Sequence, residues 1–101
     1  MKEEKMVNFS SSSGLLTGSG IVSRLPCLLT GLEVITNGTD AATLILYNSL
    51  DNSGKVLAKY VVVGTELSKE IDYAIPLQAT VGVYAALSGT GANAIVYFTP
   101  E

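Results

Sequence analysis

From Ile21 onward, short runs rich in Val, Ile, Leu, Tyr and Thr alternate with clusters of turn residues, which predicts successive β-strands rather than helices. Strands are expected at Ile21 to Arg24, Cys27 to Ile35, Ala42 to Ser49, Lys55 to Val63, Lys69 to Ile75, Ala79 to Leu87 and Asn93 to Thr99, about seven in all. The punctuation has its own chemistry. Asn37-Gly38 can supply the positive φ angles of a hairpin, Asp51-Asn52-Ser53-Gly54 is a turn cluster, and Ser88-Gly89-Thr90-Gly91 serves the last hairpin. Pro26 and Pro76 cannot donate to a ladder, so they belong at strand starts, edges or bends. No long stretch carries a helical period, and the polar residues Thr65 to Glu70 read as a loop.

Within the strands the two-residue period assigns faces. Leu44 and Leu46 share one face and Ile45 and Tyr47 the other, while Lys55, Leu57 and Lys59 oppose Val56, Ala58 and Tyr60. Some strands are therefore apolar on both sides. A sandwich standing alone in water would keep its outward face polar, so the doubly apolar strands predict a contact between subunits. Leu44, Ile45, Leu46, Val61 and Val63 are its candidate residues. The five tyrosines, Tyr47, Tyr60, Tyr73, Tyr84 and Tyr97, fall at nearly regular intervals. The residues around them do not repeat, and a meander-like succession of similar strands, each packing a ring and exposing a hydroxyl, accounts for the spacing.

The first 20 residues differ. Residues 1–20 are polar, with Ser10 to Ser13 running into Gly14 and then Thr17-Gly18-Ser19-Gly20, and no period of 2 or 3.6 appears. The expectation is a flexible Ser/Gly-rich arm, because such residues bury too little apolar area to offset the entropy of ordering. Leu15 and Leu16 would be its anchors on a neighbour, and residues 21–101 would form the β domain.

Composition changes this picture in two ways. At 101 residues the chain has the size of one domain, and hydrophobic residues make up 48% of it against 15% charged. That charge falls short of the roughly 25% usual for soluble domains, which adds weight to a homo-oligomer. The net charge of −3 and the scattered Lys and Arg give no basic stripe for nucleic acid. The mixed-charge start is unlike a secretory signal, and no apolar run approaches the roughly 18 to 20 residues of a membrane helix.

Candidate chemistry is sparse. With no His in the chain, Ser-His and Cys-His nucleophile systems and His metal sites are excluded. Asp40, Asp51 and Asp72 sit beside turn residues or in charged stretches, where solvation explains them. Asp51-Asn52-Ser53-Gly54 starts like a calcium loop, but lacks the later ligands and the late Glu, and reads as an Asx-type turn. Asn37-Gly38-Thr39 fits the glycosylation acceptor pattern and reads as a turn for want of an export signal. The Gly-rich segments lack the Lys of a phosphate loop. Cys27, the one cysteine, reads as a buried core thiol. No catalytic, cofactor or metal site is expected.

The stretch Val34-Ile35-Thr36-Asn37-Gly38-Thr39-Asp40-Ala41-Ala42-Thr43-Leu44-Ile45-Leu46-Tyr47, with Ser53-Gly54-Lys55-Val56-Leu57 and Gly82-Val83-Tyr84-Ala85-Ala86-Leu87-Ser88-Gly89-Thr90-Gly91, resembles small β-sandwich virion proteins of tailed bacteriophages, of the capsid-decoration and head-fibre type. The resemblance spans about two-thirds of the chain, from Gly31 to Thr99, and carries over no active-site residue. It implies an antiparallel, jelly-roll-like β-sandwich in a non-enzymatic virion component, made in the bacterial cytoplasm and displayed as a symmetric oligomer, a trimer favoured. Its partners would be further copies and a capsid or other virion protein, with no nucleic acid and no membrane. A carbohydrate-binding or adhesive module is the alternative.

Overall fold

The alternation in the sequence becomes eight β-strands in the computed structural model, which describes residues 11–100 and contains no helix among them. They are β1 (Ser11–Ser12), β2 (Gly20–Ser23), β3 (Cys27–Ile35), β4 (Ala42–Asn48), β5 (Lys55–Val62), β6 (Ser68–Ala79), β7 (Val83–Ser88) and β8 (Asn93–Pro100). Two antiparallel four-stranded sheets result, in the orders β1-β8-β3-β6 and β2-β7-β4-β5. They enclose one core in a β-sandwich-like arrangement, with Leu29, Leu32 and Val34 of β3, Leu44 and Leu46 of β4, Val62, Val83, Ala85 and Val96 all buried. Cys27 lies in that core, as its apolar setting predicts.

The strand order is not a meander. Only β4 and β5 are consecutive neighbours in one sheet, so the Asp51–Gly54 turn closes a true hairpin. Asn37-Gly38 and Ser88–Gly91, expected in hairpins, instead carry the chain from one sheet to the other. Both still use the predicted chemistry. Gly38, Gly89 and Gly91 have φ of 90°, 116° and 69°, and the Asn37 side-chain oxygen accepts the N–H of Thr39 at 2.8 Å and of Asp40 at 2.7 Å. Thr36, the one buried polar residue among those described, ties this crossing to the β5–β6 connection. Its hydroxyl donates to the Glu66 carbonyl at 2.8 Å and accepts the Gly38 N–H at 3.1 Å.

Bulges set which residues face inward. Leu29 and Leu32 are an odd number of residues apart, which in a regular strand puts them on opposite faces, yet both are buried. Against β8 the register runs from Leu29–Phe98 to Gly31–Tyr97, so Thr30 is an extra residue and the inward phase flips there. On the other side, Leu29 pairs with Leu77 and Gly31 with Asp72, leaving Tyr73 to Pro76 opposite the same point. Pro76 is thus on an edge strand at a bulge, where its missing N–H costs no ladder bond. A side chain at Gly31 would put its Cβ 2.8 Å from the Ile71 carbonyl oxygen, so close strand approach requires glycine.

Residues 11–20 depart from the expected flexible arm. β1 pairs with β8, Ser13 N–H donates to the Val96 carbonyl at 2.9 Å, and Leu16 and Ala94 exchange backbone bonds at 2.7 and 3.0 Å. Ser13 Oγ also accepts the Val96 N–H at 2.9 Å. The segment is ordered through its backbone, which residue composition does not report. The remainder of the expected arm, residues 1–10, lies outside the described residues.

Candidate functional site

Alternation along β4 puts Leu44 and Leu46 in the core and Thr43, Ile45 and Tyr47 on the outer face of the second sheet. Cross-strand register extends that face across all four strands. One row runs Ile21, Tyr84, Tyr47, Val56; the next holds Ala86, Ile45 and Lys59; a third holds Ser88, Thr43 and Val61. Lys59 is the one charge in these rows. Four strands at about 4.8 Å spacing and about 20 Å of length give roughly 300–400 Å² of outer face. Apolar side chains hold most of that face. Tyr47 and Tyr84, directly opposite in register, have ring centroids 6.4 Å apart with planes tilted by 52°. The centroid separation is within the range of favourable aromatic pairs.

The expected subunit residues divide accordingly. Leu44 and Leu46 are fully buried and cannot touch another chain, which corrects their assignment. Ile45 is half-buried on the outer face, and Val61 and Val63 are 58% and 59% exposed. Of the two arm leucines, Leu15 is exposed while Leu16 packs against the chain's own core, so Leu16 is not available as an anchor. Ile21, Tyr47, Val56, Tyr84 and Ala86 belong to the face without having been singled out. The signal for Tyr47 was present in its alternation with Leu46; for the others it required knowing which strands are neighbours.

The opposite outer face mixes Ile35, Ile95 and Tyr97 with carboxylates. On the first sheet Glu33 pairs with Glu70, and Gly31 stands between Asp72 and Tyr97. Thr30, Gly31, Glu70, Asp72 and Tyr97 line a shallow, open depression of about 330 Å³. Among the described residues no group of three or more His, Cys, Asp or Glu is placed to hold a metal ion.

Among the described residues two groups have shifted acidities. The Ser53 hydroxyl, the Ser53 N–H and the Ser49 hydroxyl hold the Asp51 carboxyl below its usual range. The bonds close an Asx-type turn, as the sequence predicts for Asp51-Asn52-Ser53-Gly54. Burial, then the Tyr60 hydroxyl beside it, pushes the Tyr73 phenol up. Tyr60 on β5 and Tyr73 on β6 share a hydrogen bond between hydroxyls, linking the two sheets along one side.

No family model, curated protein or solved structure matches the chain.

Proposed function

We propose that the chain is a non-enzymatic structural protein of a bacteriophage virion, a capsid-decoration or head-fibre component that works by self-association and surface attachment. The observation that carries the self-association is the apolar outer face of the β2-β7-β4-β5 sheet, with Tyr47, Tyr84 and Ile45 at its centre. Its occupant is the same face of a second copy: with Lys59 at the rim, an apolar surface fits a like surface without stranding charge. The virion role is drawn from the sequence resemblance. The strand orders β1-β8-β3-β6 and β2-β7-β4-β5 support reading the architecture as a jelly roll, in which consecutive strands mostly alternate between sheets.

Sedimentation of the purified chain tests the self-association, and a monomer at micromolar concentration refutes it. Attachment is tested by binding to capsids that lack the protein; deletion of residues 1–10 should weaken binding if that segment is the attachment point. The carbohydrate-binding reading draws on the same half-exposed tyrosines. Binding to a glycan array that Tyr47→Ala abolishes would favour it.

A further inference from the structure

The two sheets end side by side in unpaired edges. Among the described residues no strand pairs with the outer edge of β5 or of β6, whereas the opposite edges are the short β1 and β2. Ile75 of β6 is 84% exposed on this side, and Val63 and Leu67, in the connection between the two strands, are 59% and 67% exposed. Leu57, Tyr60, Ile71, Tyr73 and Leu77 reach the core from these strands but remain partly exposed. Unpaired edges template pairing with another chain, and the bulge at Tyr73 to Pro76 confines such pairing on β6 to the stretch before it.

We propose that a second copy docks on this open side, β5 of each chain pairing with β6 of the other about a twofold axis parallel to the strands. Charge selects this arrangement. The β5 charges are Lys55 and Lys59; β6 carries Lys69, Glu70 and Asp72. Lys59 points to the outer face of its sheet, opposite Ile45, and Glu70 and Asp72 to the outer face of theirs, opposite Glu33 and Gly31. Joining β5 to the partner's β6 makes the two outer faces continuous, with lysine and carboxylates on one side.

The levels agree as well. β5 ends at Val62 and β6 begins at Ser68 at the same end of the fold, tied there by Thr36 through Glu66. A twofold parallel to the strands shifts nothing along them, so the Val62 end of β5 lies beside the Ser68 end of the second copy's β6, the end that carries Glu70 and Asp72. The strands run in opposite directions and pair antiparallel on both sheets. The other twofold, perpendicular to the sheets, joins β5 to β5 and β6 to β6; it sets lysines against lysines and carboxylates against carboxylates.

The inference rests on the self-association reading and shares Lys59 with the margin of that face, so the charge reversals are read in a chain whose face contact is already removed. Sedimentation of the full chain and its variants decides. The wild-type chain should form assemblies with an even number of subunits. Ile45→Glu, which removes the face contact, should leave pairs held by the edges. In that background Lys59→Glu, or Glu70→Lys with Asp72→Lys, should each weaken pairing more than about tenfold. Mixing the two variant chains should restore it as a one-to-one complex, while Lys59→Arg should pair normally. Circular dichroism and unfolding curves for each variant separate lost pairing from lost folding. Pairs unaffected by either charge reversal, monomers from Ile45→Glu alone, or a wild-type assembly of three chains overturn the edge contact. Monomers from Ile45→Glu alone leave the face reading standing, whereas a monomeric wild-type chain overturns both.

Discussion

Neighbouring residues on one strand have opposite consequences here. Leu44→Ala or Leu46→Ala empties a site with no solvent exposure and should cost about 2–5 kcal/mol in denaturant unfolding. Ile45→Glu, between them, points outward and should leave the monomer folded while reducing self-association in sedimentation. Thr36 is a second residue-scale case. Thr36→Val keeps the shape but leaves the Gly38 N–H without its acceptor, so unfolding should show a loss of about 1–3 kcal/mol. Residue-scale chemistry was largely legible in advance: the Asn37 and Asp51 turns, buried Cys27 and the edge position of Pro76 follow from covalent structure and local hydrogen bonding.

Elements are where the chain departs from its local pattern. The Tyr60–Tyr73 bond joins the sheets at their open side, and Tyr73 loses its proton less readily in the folded chain than at its ordinary value of 10.0. Its contribution to stability is thus fully present below pH 10 and lost as pH rises through the folded value. Unfolding curves should show stability falling above pH 10, less steeply for Tyr73→Phe. Asp51 works in the opposite direction. Hydrogen bonds from Ser53 and Ser49 hold its carboxyl below the ordinary carboxylate range, so its contribution is present above that range and lost as pH falls through the folded value. Most strand positions were legible from alternation, but Ala79, expected to open a strand to Leu87, ends β6 instead, Ser68 to Glu70, expected in a loop, begin it, and β1 was not legible because Ser11 and Ser12 are held by backbone bonds to β8 rather than by burial. The Thr30 bulge was equally hidden, since it exists in the pairing of β3 with β8 and β6.

At the scale of the whole molecule, a low-charge sequence is divided between two unlike outer faces. One presents Ile21, Tyr47, Val56, Ile45 and Tyr84; the other presents Glu33, Glu70 and Asp72. Removing residues 1–16 should uncover the β8 edge that β1 and Leu16 now occupy, and light scattering should detect faster aggregation than for the full chain.

The sequence by itself determined the all-β class, seven of the eight strands and the turn chemistry, because period-two alternation and turn propensity act over a few residues. It also determined that apolar residues outnumber the places in one core. Only the tertiary structure decided which of them are left over. Leu44 and Leu46 go inward and Ile45 outward because of how β4 lies against the opposing sheet, and Tyr84 joins Tyr47 because β7, distant in sequence, is its neighbour. Strand neighbours and bulges are long-range choices, fixed when the sheets close over a common core, and no local pattern encodes them.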